Sequence, residues 1–299
     1  MDTEAMRWFS HVADGETVTE VAELYAVSQP AVSRALARLE RQVGTTLLEK
    51  AGRRLRLTHA GHEFKRGADQ GLYAVDDVLA AMAELTSPET GTVRLAFQMS
   101  FGTWLIPPLV GAFKAEHPRV MFDLEQSQDA LGSSLVAEGR VDLELTARQP
   151  RNPEVAWRWL FSERLYLAVS TSHRLARRQL VALEEVGTEP WVLLHRNWEM
   201  RRQCDALCAA AGYAPRVVFE GDDLPTLLGF VANDLGISIV PAMGLTSGLG
   251  QLGIRLIPLR DPDAFREIGL AWSKRRRLLP AARQFREFTR AWVPERVGD

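Results

Sequence analysis

The chain has 299 residues, 46% of them hydrophobic and 25% charged, with a formal net charge of −2. That composition suits a soluble globular protein of two or three domains with a substantial core. It excludes a polycation, a disulfide scaffold, since Cys204 and Cys208 are the only cysteines, and a helical membrane protein, since no apolar run is long enough to span a bilayer.

The start, Met1-Asp2-Thr3-Glu4, is acidic where a secretion signal needs positive charge and then an apolar run, so a cytoplasmic protein is expected. Met6 to Ala13 reads as a first helix with Met6, Phe9, Val12 and Ala13 on one face. Thr17 and Glu20 form a capping box for a second helix that runs to about Tyr25. Ser28 is the N-cap of a third, where Pro30 is tolerated in the first turn. Val32, Leu36 and Leu39 of this helix face inward, while Gln29, Ser33, Arg34 and Arg38 face out. Leu47 to Leu57 alternates around Gly52 as a basic hairpin. Two short helices, a tight turn and a basic wing suit the major groove of double-stranded DNA. Gln29, Pro30, Ser33 and Arg34, with Ser28 beside them, are the base-facing candidates; Arg38, Arg53, Arg54 and Arg56 are expected to clamp phosphates.

A long helix follows, from about Ala60 to Leu85. Ala68, Leu72, Val75, Leu79 and Met82 repeat at spacings of four and three, a heptad seam for a helix–helix dimer. Packing on the chain's own first domain would use the same spacing. Ser87-Pro88-Glu89-Thr90-Gly91 is read as a hinge. From Thr92 short apolar runs alternate with helices. Val93–Phe97, Val120–Gln126, Val141–Thr146, Leu165–Ser170, Val192–His195, Val217–Glu220, Ile237–Pro241, Ile254–Pro258 and Ile268–Trp272 read as strands, and Thr103–His117, Leu131–Glu138, Met200–Ala211, Leu224–Asn233 and Pro280–Trp292 as helices. This is an α/β region with mainly parallel sheets, whose ligands bind beyond the carboxyl ends of strands. Ser100, Phe101, Thr103, Gln128, Thr146, His195, Trp198 and Asp222 lie at or just beyond such ends. Ser100 serves equally as a helix cap, and His195 as an interfacial histidine.

Other patterns are set aside. Gly248 to Gly253 matches a dinucleotide fingerprint in letters but precedes a strand. His59 and His62 lack further metal ligands nearby, Cys204 and Cys208 sit one helical turn apart as packing residues do, and no nucleophile elbow is present.

The series Phe9, Thr19, Ala22, Val27-Ser28-Gln29-Pro30-Ala31-Val32-Ser33, Leu39-Glu40, Gly44, Leu47, Arg53-Arg54, Leu57-Thr58 and Ala60-Gly61 resembles the N-terminal signature of LysR-type transcriptional regulators. Leu105-Ile106-Pro107, Phe113, His117-Pro118, Gly139 to Leu143 and Leu235 to Pro241 continue it in that family's order. Tyr25, Leu48-Glu49-Lys50 and Asn233-Asp234 depart from it. The resemblance implies a winged helix-turn-helix at 1–59, a dimerising linker helix and hinge at 60–90, and a two-lobed effector domain like a periplasmic binding protein at 91–299. Its first lobe would be about 92–162 plus 265–295, its second about 163–264. It implies a regulator, not an enzyme. The partners expected are double-stranded DNA, an anionic or partly aromatic effector held between the lobes at Ser100 and the N-terminus of the following helix, other copies in a homodimer and homotetramer, and RNA polymerase. No cofactor, metal or membrane is expected. The rival reading is an α/β ligand-binding protein or enzyme with an incidental N-terminal domain.

Overall fold

The computed structural model describes residues 2–51, 54–86, 90–127, 134–241 and 252–297. Arg53, Gln128, the hinge at 87–89, the start of the helix expected from Leu131, and most of the Gly248 to Gly253 run lie outside them. The chain divides into two compact units, one holding the elements up to the long helix and one the elements after it.

In the first unit, α1 (Thr3–Ala13), α2 (Val18–Leu24) and α3 (Gln29–Val43) enclose a core of Phe9, Val12, Val21, Val32, Leu36 and Leu39. Thr17 and Glu20 make the capping box of α2. Tyr25 turns its ring edge to Trp8 and shares a 3.1 Å hydrogen bond between its hydroxyl and His11 Nε2. The α2–α3 turn puts Ala26 at φ 52°, a left-handed conformation that costs a side chain about 1–2 kcal/mol. Gly44 closes α3 at φ 83°. The hairpin β1 (Leu48–Ala51) and β2 (Arg54–Leu57) follows. Glu40 fixes its entry, because its carboxylate accepts from the Leu47 and Leu48 amides at 2.8 and 3.0 Å.

α4 (His59–Thr86) corrects the seam. Ala68 and Leu72 are buried, Leu72 to 6% exposure, and α1 packs along α4, with β2 against the helix as well. Heptad spacing records which residues share a face, not whose surface covers it. Val75 is exposed, as are Leu79 at 62% and Met82 at 54%. The apolar face open to a second copy is therefore the C-terminal half alone. A Leu79→Glu/Met82→Glu variant is expected to fold but to halve the oligomer mass in light scattering; an unchanged mass would place the seam elsewhere.

The second unit is built on β3 (Gly91–Gln98), β4 (Val120–Ser127), β5 (Leu143–Thr146), β6 (Val155–Ser170), β7 (Pro190–Leu194), β8 (Arg216–Gly221), β9 (Ser238–Pro241), β10 (Ile254–Pro258) and β11 (Phe265–Ser273). The expected run Leu165–Ser170 is only the second half of β6. The first half pairs with β11 and the second with β9 and β10, so one strand serves two lobes. The sheets are mixed, not mainly parallel. β3–β4, β3–β5 and β7–β8 run parallel, but the strands through which the chain crosses between lobes and returns pair antiparallel. In the first lobe α5 (Ile106–Glu116) and α9 (Pro280–Val297) bury Leu109, Phe113 and Phe285 against one sheet face, and α6 (Leu135–Glu138) contributes Leu135 and Val136 to a separate small cluster. In the second, α7 (Glu199–Ala210) and α8 (Leu224–Ala232) contribute to separate clusters. Asp234 takes φ 57° in the turn after α8, a conformation Asp tolerates better than most side chains.

Candidate DNA-contacting face and effector site

Burial of Val32, Ala35, Leu36 and Leu39 fixes the rotation of α3, leaving Ser28, Gln29, Pro30, Ser33, Arg34 and Arg38 exposed. Ser28 holds the N-cap position, but its hydroxyl makes no cap bond. Gln29 Nε2 donates instead to Ser33 Oγ at 3.1 Å, joining side chains one helical turn apart. Among the described residues Arg34 has no hydrogen-bond or ionic partner, whereas Arg38 donates to Asp2 at 2.7 Å and must leave that pair to reach a phosphate. On the wing Arg56 is exposed and opposite Glu49, and the exposed Lys50 is a further cation that the expected set omitted. Arg54 lies in β2; Arg53 is outside the described residues.

The expected effector residues do not form one set. Ser100 lies in a short 3-10 turn, Met99–Phe101, after β3. The guanidinium of Arg266 donates to Ser100 Oγ from both Nη1 and Nη2, each at 3.1 Å. Arg266 is 4% exposed and pairs with Glu163, 1% exposed, through Nε at 2.7 Å and Nη2 at 2.6 Å. Two donors on one hydroxyl oxygen fill its lone pairs, so Ser100 has only its hydrogen to offer. Sequence reasoning missed Arg266 and Glu163. The signal was a charged residue at an inward position of each of two alternating strands.

Phe101 is core, fully buried, with the Arg266 guanidinium 5.0 Å from its ring centre. The expected helix-terminus donors are fewer than a helix start ordinarily offers, for a chemical reason. α5 starts at Ile106, and of its first residues Pro107 and Pro108 carry no N–H, while the Leu109 amide bonds to Leu105. Thr103 is exposed. Thr146 is buried and committed, donating to the Arg148 carbonyl at 2.8 Å and accepting from Trp157 Nε1 at 3.0 Å. Gln128 is outside the described residues.

Trp198 caps α7 by its backbone and is buried, and its Nε1 is a buried donor without a partner among the described residues. Met99, beside Ser100, packs on the second-lobe cluster that contains Trp198. Arg148 of the first lobe pairs with Glu199 of the second at 3.2 Å. His195 lies 3.6 Å from Glu220 and 3.8 Å from Asp222, so those two expected residues do meet. Glu220 also accepts from the buried Arg201, which holds its carboxyl below the usual range.

Cys204 and Cys208 are both buried, and burial pushes the Cys208 thiol up to about 11 and that of Cys204 higher still. Thiols kept protonated in this way are poor oxidant sensors. Among the described residues no His, Cys, Asp and Glu group is arranged to hold a metal, and no helix is long and apolar enough to cross a membrane.

Two family models match the chain: that of the bacterial regulatory helix-turn-helix protein, lysR family, over residues 3–62, and that of the LysR substrate binding domain over residues 86–294. The uncharacterized HTH-type transcriptional regulator YybE of Bacillus subtilis is 35% identical, across 96% of this chain and 98% of its own length. The transcriptional dual regulator GltC of the same organism is 32% identical, across 96% of each. Among solved structures, full-length CbnR complexed with its target DNA covers 97% of this chain and 99% of its own, at TM-score 0.71 and 22% identity.

Proposed function

Since the chain belongs to the LysR family of transcriptional regulators, we propose that it reads double-stranded DNA with the exposed face of α3 and is switched by a hydrogen-bond-accepting, anionic effector at Ser100. The relatives are named as regulators, not enzymes. The unpartnered Arg34 beside Gln29, Pro30 and Ser33 supports base reading. Arg38, Arg54, Arg56 and Lys50 supply the phosphate contacts, and the C-terminal half of α4 joins copies into a cytoplasmic dimer and tetramer that acts on RNA polymerase at the bound site.

The observation that carries the effector class is the pair of Arg266 donors on Ser100 Oγ. A ligand group at Ser100 has to accept, and the orphaned Trp198 Nε1 offers a second donor on the neighbouring cluster. A carboxylate satisfies both better than a neutral amide. Such a ligand switches nothing unless it binds one arrangement of the oligomer better than the other. A thermal-shift screen of matched carboxylic acids and amides is expected to favour acids. Ser100→Ala, which leaves the backbone intact, is expected to weaken the selected acid by about 1.5–3 kcal/mol in calorimetry while effector-free DNA binding persists. Parental affinity in that variant would reduce Ser100 to a structural role.

A further inference from the structure

Several exposed arginines of the second unit stand beside a carboxylate: Arg174 beside Glu189, Arg178 beside Glu185 and Arg290 beside Glu287. The balance fails where β11 gives way to α9. Lys274, Arg275, Arg276 and Arg277 follow β11 without a break, and Arg283 stands one turn into α9. Ser273 is opposite Val155 at the start of β6, so this run lies beside the segment leading into β6, which carries Arg148, Arg151 and Glu154. In a chain of net charge −2, the segments 148–154 and 274–283 together hold Glu154 as their single carboxylate. Glu154 is taken by Arg275, and Arg148 pairs with Glu199 of α7. Arg151, Arg277 and Arg283 are exposed, with no hydrogen-bond or ionic partner among the described residues.

The backbone beneath these forks is fixed. The Lys274 amide donates to the Glu154 carbonyl at 2.8 Å, and Lys274 Nζ donates to the Pro153 carbonyl at 2.9 Å. The Arg275 amide donates to Ser273 Oγ at 3.2 Å, and the Arg283 amide to the Leu279 carbonyl at 2.9 Å. Lys274 thus ties the two segments into one ledge, and the open arginines are presented on held backbone. Like charges gathered this way repel one another and oppose the compact state; a polyanion reverses the sign of that interaction. A small anion would occupy one fork. Duplex DNA carries one charge per about 1.7 Å of its axis and meets several forks at once, and a planar guanidinium pairs a phosphate through two parallel N–H bonds. Neither segment holds an aromatic ring on which unpaired bases could stack, which favours a duplex over a single strand.

We propose that this ledge grips the phosphates of duplex DNA without reading its bases, as a contact separate from α3 and the wing. It rests on the reading of this chain as a DNA-binding protein, and it places part of the salt-dependent affinity on the second unit, where no helix-turn-helix lies.

The test is fluorescence anisotropy of the full chain with a long scrambled duplex over a series of salt concentrations. Arg151→Gln/Arg277→Gln/Arg283→Gln is expected to weaken binding at least about tenfold at low salt and to lower the slope of log affinity against log salt by about two to three. Arg174→Gln/Arg177→Gln/Arg178→Gln makes the same charge change on another exposed stretch of this unit and should keep the parental slope. Circular dichroism and light scattering confirm the fold and the oligomer mass of each variant. Arg34→Ala should leave the slope on this duplex unchanged, so that loss of base reading and loss of the ledge are read separately. Parental affinity and slope in the ledge variant, or equal losses in the two triple variants, would overturn the assignment. So would poly-glutamate that competes with the duplex for the parental chain as strongly as free duplex does, which would give the ledge to an acidic protein segment.

Discussion

Gly61→Ala is expected to destabilise the N-terminal unit by about 3 kcal/mol or more, the upper end of the range for overpacking. The glycine is required by close approach. A Cβ at Gly61 would stand 2.1 Å from the Leu47 carbonyl oxygen and 3.1 Å from its carbon, both backbone atoms. Neither side can yield cheaply. Leu47 is held by its own amide on Glu40, and its carbonyl accepts from the Thr58 amide at 3.0 Å. Gly61 is held in α4, where its amide donates to Thr58 Oγ1 at 3.0 Å. The added methyl has to push α4 off the wing. At about 4–8 °C per kcal/mol for a unit of this size, its thermal transition should fall by at least about 10 °C, with loss of DNA binding. A parental melting curve would show that the α4–wing contact is looser than described.

The second large effect is at Arg266. Arg266→Met takes the guanidinium from the Glu163 carboxylate in a site where it is 1% exposed. Removing one partner of a buried pair costs about 3–5 kcal/mol, because the remaining charge keeps its desolvation penalty without compensation. Arg266→Met/Glu163→Leu removes both charges and should recover most of that loss. Denaturant unfolding of the two single variants and the double closes the cycle. Additive losses would mean that the two residues do not act as a pair.

Periodicity made α3 legible because its buried and exposed residues separate cleanly on one helix, and the base-facing candidates follow from that rotation. α4 shows the limit of the same method. Ala68, Leu72, Leu79 and Met82 share a face, yet α1 packs only on the first part of it, and spacing carries no information about the covering surface. β6 was half hidden because the bulge at Leu160 breaks its alternation and Glu163 occupies an inward position that normally excludes charge. Glu163 is met there by Arg266, 103 residues away in sequence. The polarity of Ser100 depends on that same non-local pair, so no local pattern could reveal it. The α5 terminus differs for another reason: position along the chain suggested a helix dipole with free amides, but Pro107 and Pro108 delete two of those donors.

The most direct measurement is equilibrium titration of the full chain on duplex DNA from its own upstream region and on a scrambled duplex, at two salt concentrations. Tighter binding to the upstream duplex is expected, with affinity for both falling as salt rises. Arg34→Ala should lose about 1–3 kcal/mol on the upstream duplex and little on the scrambled one. Arg56→Ala should weaken both and flatten the salt dependence by about one charge. Equal affinity for the two duplexes, or parental binding in both variants, would contradict the assignment of α3 and the wing as the DNA-reading surface.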